Sequence, residues 1–310
     1  MLTPFPLSDL TAFPQQHTLP PPDPDSSLDQ SASLQALLTE QTSPKTYPWL
    51  KNMRVVLVPS MLSDLIRWIP NGPLLDYFGH QKKWLEDQGA DVVWAPVNTQ
   101  SSMEENATRL LHMLAQDHRP TGIIGHSKGG VDSLHALLHA SPGLLDSVMF
   151  WLPLHSPFFG SPLADHAHSH AYDLAGACLT WFGGSPQCLT DLTTSIRHHY
   201  IKTYLSDIEA LTTKIPSFCI SATLDDPRAH ILEKGGALYF NILNGAALPS
   251  DGIVATHSAL LPTSPYAILP GYNHAEVVYR FLLPSHGRHV RFLSGLLSLV
   301  EPACLKKLKG

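Results

Sequence analysis

Ser127 is the residue best placed for covalent chemistry, and its surroundings say why. Gly125-His126-Ser127-Lys128-Gly129 lies between a short apolar run, Gly122-Ile123-Ile124, and an amphipathic stretch carrying Val131, Leu134, Leu137 and Leu138 on one side. A strand that turns sharply into a helix at such a serine pushes the hydroxyl above the sheet edge, and the flanking glycines permit close backbone approach. The helix N-terminus behind it offers N–H groups and the positive end of a dipole to a developing oxyanion. A serine hydroxyl attacks a carbonyl only when a base takes its proton. The site therefore requires a histidine, and a carboxylate to orient it.

With eighteen histidines in the chain, residue type is a weak guide, and position singles out His274. It follows an apolar run at 266–269 and the turn Pro270-Gly271-Tyr272-Asn273, and it precedes a stretch expected to be helical. His286 and His289 come later, but Pro284, Ser285 and Gly287 mark a peripheral loop there. Two places offer the carboxylate. Asp251 lies in Pro249-Ser250-Asp251-Gly252-Ile253-Val254, a turn running into apolar residues. Asp225 and Asp226 follow directly on the run at 218–221, where turn chemistry ahead of Pro227 is a sufficient alternative reason for them. The residues alone leave both open.

Two further groups invite a chemical reading. His166, His168 and His170, flanked by Asp165 and Asp173, would share one face of a strand as zinc ligands do. On a helix or loop that convergence is lost, so a polar surface is expected and no metal is assigned. Lys128 belongs to no phosphate loop, since the order Gly-Lys-Ser/Thr is absent. Its side chain is expected to point away and cap or solvate the helix start, with attraction of an anionic acyl chain or head group as the alternative.

The elements that must position these groups follow from the patterning. Residues 54–58 are a short, nearly all-apolar, β-branched run, as expected of a strand buried on both faces, and 91–95, 122–124 and 148–152 read as further strands. Between them, 74–88, 102–116 and 130–140 repeat apolar residues at helical spacing, the second opening on the capping box Ser102 to Glu105. This alternation predicts an α/β fold with a mostly parallel, doubly wound sheet, to which 217–221 and 266–269 add later strands. A less regular stretch at about 165–214 reads as an insertion over one end of the sheet, a cap or lid. Leu163, Tyr172, Leu174, Leu179, Trp181 and Phe182, in and beside it, are candidates to line an acyl pocket.

Residues 1–45 have the composition of a flexible, Pro-rich N-terminal arm, and 46–310 that of the main domain. Within the arm, Leu34, Leu37 and Leu38 form one apolar helical face with Ser33 as its expected N-cap. Twenty basic against 26 acidic residues leave a net charge of −6, which argues against a nucleic-acid partner held by phosphate neutralisation. The basic tail Lys306-Lys307-Leu308-Lys309 is expected to be frayed and solvated. No apolar run approaches the roughly 20 residues of a transmembrane helix. No signal peptide is visible, so a cytoplasmic location is expected, with export by another route left open. Four cysteines are too few for a disulfide scaffold; free thiols are expected, with pairing of Cys178 and Cys188 as the alternative.

From Arg54 to Val278 the sequence resembles the α/β-hydrolase lipases and esterases, especially the bacterial triacylglycerol lipases. Gly-His-Ser-Lys-Gly-Gly at 125–130 is similar to that group's nucleophile motif, and Ser156-Pro157-Phe158-Phe159-Gly160-Ser161 to the segment after it. Ser250-Asp251-Gly252-Ile253-Val254 resembles its acid loop, and Tyr272-Asn273-His274-Ala275-Glu276-Val277 its catalytic-histidine loop. The resemblance implies the α/β-hydrolase fold and a triad of Ser127, Asp251 and His274, favouring Asp251 over Asp225. It also implies an oxyanion hole made by the backbone N–H groups of Lys128 and Met61, although the usual His-Gly after the first strand is here Pro59-Ser60. The histidine loop is one residue shorter and lacks the Asp that helps hold calcium in those lipases, so no calcium is carried over, and no cofactor. The implied activity is hydrolysis of an ester or lipid-like small molecule. A thioesterase, an acyltransferase on the same triad, or a non-catalytic lipid- or partner-binding protein are the alternatives.

Overall fold

The computed structural model describes residues 21–40, 43–61, 63, 76–170, 185–224, 249–280 and 288–309. In chain order the strands are β1 Arg54–Val58, β2 Asp76–Tyr77, β3 Asp91–Trp94, β4 Thr121–His126, β5 Val148–Leu154, β6 Cys219–Thr223, β7 Tyr266–Pro270 and β8 Tyr279–Arg280. The helices are α1 Ser31–Glu40, α2 Gly79–Asp87, α3 Met103–Ala115, α4 Lys128–Leu138, α5 Pro142–Ser147, α6 Pro162–His170, α7 Gln187–Thr190, α8 Thr194–Thr203, α9 Leu205–Lys214 and α10 Arg288–Lys309.

Six strands form one parallel sheet in the order β3-β1-β4-β5-β6-β7. Successive residues of each strand feed opposite cores. Val55 and Leu57 of β1 pack with Ile124, Phe150 and Leu152 on one face, against Phe292, Leu296 and Leu297 of α10. Val56 and Val58 pack with Ile123 and Trp151 on the other, against Val131, Leu134 and Leu137 of α4. Because both faces are covered, the strands carry almost no polar alternation, which is why they read as continuous apolar runs. The chain runs outward from β1 to β3 and then returns to the other side of β1 at β4. Such a reversal of winding leaves a crevice beyond the carboxyl ends of the two adjacent strands, the usual ligand position in an open α/β sheet.

Several elements depart from the sequence reading. The helix expected from residue 74 begins at Gly79, because Asp76–Tyr77 pairs antiparallel with Tyr279–Arg280. That pairing also makes the segment after His274 a turn and a strand instead of a helix. The described part of the stretch expected to be irregular is helical, forming α6 to α9. Ser33 lies inside α1, which starts two residues earlier, where Asp29 Oδ1 accepts from the Ser31 N–H at 2.7 Å. The apolar helical face read at Leu34 does pack on the main domain: Asp29 bridges Tyr266 in parallel, and Leu34 is fully buried against α10. The basic tail is helical too, with Cys304 buried and Lys307 Nζ donating to the Val148 carbonyl at 2.7 Å. His289, expected in a loop, is a buried residue of α10. Among the described residues no helix is long and apolar enough to cross a membrane.

Candidate active site

Five loops meet at the carboxyl edge of the sheet, each leaving a different parallel strand. After β4, Ser127 takes φ 53° and ψ −123°, a conformation costly for a residue with a side chain. A serine preceding a helix normally caps it with its hydroxyl from an extended conformation. Ser127 makes no such bond to α4, so its hydroxyl is not spent on capping. Lys128 is the first residue of that helix, and its N–H therefore has no acceptor within the helix.

Close packing holds the elbow in this shape. A Cβ on Gly129 would lie 2.2 Å from the Val58 carbonyl oxygen and 2.7 Å from that of Pro59. Only a glycine lets the start of α4 approach the end of β1, where the loop Pro59-Ser60-Met61 begins. A Cβ on Gly130 would lie 1.8 Å from Ser156 Oγ, in the loop after β5.

Asp251 lies in the loop entering from β6, where Leu224 N–H donates to the Ser250 carbonyl at 2.8 Å. It is buried, and all of its accepting capacity is used. Oδ1 takes the backbone N–H groups of Ile253 and Val254 at 3.0 and 2.8 Å. Oδ2 takes His274 Nδ1 and His155 Nδ1, both at 2.8 Å. Burial alone would raise this carboxyl, but the two imidazoles hold it well below the usual carboxylate range. His274 is presented by the loop after β7, whose turn is closed by Asn273 Oδ1 accepting from the N–H groups of Ala275 and Glu276. Its own N–H returns to the Asp251 carbonyl at 3.0 Å. An ionised carboxylate can only accept, so His274 keeps its proton on Nδ1 and offers Nε2 as a proton acceptor.

A second chain of hydrogen bonds ties the edges together. Ser60 N–H donates to Tyr77 Oη at 2.8 Å, Tyr77 Oη lies 3.2 Å from His126 Nδ1, and His126 Nε2 lies 2.9 Å from the His274 carbonyl oxygen. Burial keeps His126 neutral. Its single N–H is then the one facing the carbonyl, and Tyr77 donates to Nδ1. The residue beside Ser127 thus joins the β1 loop to the His274 loop.

The structure brings Ser127, Met61, Lys128, Asp251 and His274 to one edge of the sheet, while Asp225 lies outside the described residues. Lys128 departs from expectation. It does not solvate the helix start: its side chain is buried, and Nζ meets Asp132 Oδ1 at 2.7 Å one turn along α4. Asn106 Nδ2 also donates to Asp132, at 2.8 Å. Burial pushes the Asp132 carboxyl up to about 6, against the opposing pull of the Lys128 ammonium. His166, His168 and His170 fall on helix α6, so the shared face of a strand is lost. Among the described residues, His155, Asp251 and His274 are the one group spaced as metal ligands would be. Tetrahedral zinc ligands stand about 3.3 Å apart, given bonds of roughly 2.0 Å. Here both nitrogens face Oδ2 at 2.8 Å, the spacing of shared protons. Cys188 is a free buried thiol, with Sγ 3.7 Å from Met61 Sδ, while Cys178 lies outside the described residues.

Three residues of this edge escaped the sequence reading. Tyr77 and His126 carry no motif that marks them as connectors. His155 precedes Ser156-Pro157 as one histidine among many, and its φ of 52° is invisible in a sequence.

No protein-family model matches this sequence, and no curated protein matches it. Solved structures do. A metagenomic carboxyl esterase aligns with a TM-score of 0.71 at 16% identity, over 96% of this chain and 99% of that one. The mature form of a Bacillus licheniformis lipase aligns with a TM-score of 0.56 at 19% identity, over 85% and 96%. Lipase 1 of Pelosinus fermentans gives 0.53 at 14% identity, over 81% and 98%. At such identities the likeness speaks for the fold, which is the α/β-hydrolase fold.

Proposed function

We propose that this α/β-hydrolase-fold chain is a serine hydrolase that cleaves carboxylic esters through an acyl-enzyme, with Ser127 as nucleophile, His274 as base and Asp251 as acid. The observation that carries the reading is the backbone at Ser127: a strained, uncapped serine between β4 and α4, at the crevice where the sheet reverses its winding. Strain of this kind is retained where the surrounding structure over-determines it, as at a nucleophile.

In this mechanism His274 Nε2 takes the Ser127 proton as Oγ attacks the ester carbonyl. The imidazolium forms against Asp251, whose negative charge is already held in place by two backbone N–H groups. The tetrahedral oxygen is received by the N–H groups of Lys128 and Met61, each such donor typically worth about 3 kcal/mol to the transition state. The alcohol leaves with the proton from His274, and water repeats the sequence on the acyl-enzyme. Met61 packs with Ala167, Cys188 and Leu189, an apolar patch beside the oxyanion loop that suits the hydrocarbon part of an ester. The solved structures that share this fold include a carboxyl esterase and two lipases, names in keeping with such a substrate.

A fluorophosphonate probe tests the reading. Wild-type protein is expected to label and Ser127→Ala to remain unlabelled, with loss of p-nitrophenyl ester hydrolysis. Failure of the wild type to label, or undiminished labelling of Ser127→Ala, overturns it.

A further inference from the structure

The acid of the proposed triad is shared. His155, at the end of β5, is fully buried and directs Nδ1 at Asp251 Oδ2 at 2.8 Å, the same oxygen and the same distance as His274. The two rings are edge to face, with centroids 5.7 Å apart. Nothing in helix or sheet geometry asks for a histidine here. Its backbone sits at φ 52°, a region that Gly occupies without cost and Asn more readily than most other side chains. A buried, strained, polar residue on the triad acid calls for a reason.

Its protonation state follows from its partners. The Asp251 carboxylate accepts, so His155 keeps a proton on Nδ1. Its other nitrogen, Nε2, is buried and has no hydrogen-bond partner among the described residues. A second proton there would leave a charged N–H unsatisfied in the interior, which is costly. Burial accordingly holds His155 below the ordinary imidazole range, although Asp251 pulls the other way. His155 is thus a neutral donor.

We propose that His155 is a positioning residue for the triad: its Nδ1–H locks the rotamer of Asp251 and takes up part of the negative charge that would otherwise face His274. This rests on the reading of Ser127, Asp251 and His274 given above. A carboxylate with one donor fewer is a stronger acceptor, so its remaining partner, His274, would hold its own second proton more tightly. The neutral donor therefore leaves the Asp251 charge divided between two imidazoles instead of directed at His274 alone.

Other groups face the same pair and stay constant in the comparison. His126, on the β4 side, has its ring centroid 4.9 Å from that of His274 and is linked through Nδ1 to Tyr77 of β2. Glu276, on the histidine loop, is ion-paired at 3.0 Å with Arg288 of α10.

Three substitutions separate positioning from mere support. His155→Leu keeps bulk and removes the donor. His155→Gly removes it while accepting the positive φ, and so remains informative if the leucine variant fails to fold. His155→Asn restores an N–H near the place of Nδ1 on a backbone that asparagine tolerates. The readout is kcat and kcat/KM for a p-nitrophenyl ester from pH 5 to 9, on protein checked by circular dichroism. In the donor-less variants kcat is expected to fall about 10- to 100-fold, as for a displaced catalytic group. Their acid limb of kcat/KM is expected to move up by roughly half a pH unit or more. His155→Asn should return both towards wild type. Folded donor-less variants with the wild-type profile overturn the proposal, and so does an asparagine variant as impaired as the glycine one. The two readings fail separately: a wild type that does not depend on Ser127 removes the triad, whereas Ser127-dependent activity indifferent to His155 removes only this inference.

Discussion

Replacing Asp251 by asparagine exchanges one oxygen for an amide nitrogen in a side chain that is 2% exposed. The amide has one best orientation. Its oxygen must face the N–H groups of Ile253 and Val254, at 3.0 and 2.8 Å, because its NH2 would oppose them. The NH2 then faces the Nδ1 atoms of His155 and His274, where two donors confronted an acceptor before. Each imidazole is driven to the tautomer with its proton on Nε2, so that in the proposed mechanism His274 would meet Ser127 with an N–H in place of a lone pair. Returning His274 to its working tautomer sets buried donor against donor, at a cost of about 1–3 kcal/mol. The imidazolium formed on attack also loses its counter-charge. At an effective dielectric constant near 20, unit charges about 3 Å apart attract by roughly 5 kcal/mol. The two costs overlap, and a total of about 5–6 kcal/mol corresponds to a fall of about 10^4 in kcat. Steady-state hydrolysis of a p-nitrophenyl ester measures it, with circular dichroism confirming the fold and Asp225→Asn run alongside. A loss of less than tenfold in Asp251→Asn refutes the reasoning, as does a large loss confined to Asp225→Asn.

Other expectations rest on separate parts of the structure. Gly129→Ala places a methyl 2.2 Å from the Val58 carbonyl oxygen, so a destabilisation of about 1–3 kcal/mol is expected together with loss of activity; an unchanged Tm and kcat/KM would contradict the packing account. Lys128→Met leaves Asp132 buried beside Asn106 without its cation, at an expected cost of about 3–5 kcal/mol, and Lys128→Met with Asp132→Leu should regain much of that in urea unfolding. Tyr77→Phe removes the link between Ser60 N–H and His126 and should lower kcat/KM about tenfold while KM changes little; equal loss from a conservative change elsewhere on β2 would argue against a specific role. Burial, reinforced by His139 and Arg197, holds His135 down to about 3. The unfolded chain takes up that proton near pH 6.5, so stability is full above that pH and declines towards pH 3, by about 1.4 kcal/mol per pH unit. Melting temperatures from pH 7.5 to 4.5 should show the decline, and His135→Gln should flatten it.

How much was legible in advance depended on how local each feature is. The strand at 54–58, the strand–turn–helix around Ser127 and the run at 266–269 could all be read, because a strand buried on both faces needs nothing but apolar residues and the turn needs glycines. The helix start and the helical tail were misjudged where a distant partner decided the outcome. Asp76–Tyr77 finds Tyr279–Arg280, and Lys307 finds the carbonyls of Leu145 and Val148.

The same division runs through the candidate site. Ser127 announces itself because its demands are met by its neighbours in sequence: glycines on either side, a strand before and a helix after. What surrounds it was settled by the parallel sheet, which delivers the carboxyl ends of β1, β4, β5, β6 and β7 to one edge. Asp251 meets His274 across 23 residues and His155 across 96, and no periodicity spans such intervals. Lys128 looked solvated because lysine usually is, until Asp132 and Asn106 gave it a buried partner set. The sequence alone determined that a serine would stand strained at the end of a strand. The tertiary structure decided which side chains would surround it, since hydrogen bonds between loops exist only once the strands beneath them are paired.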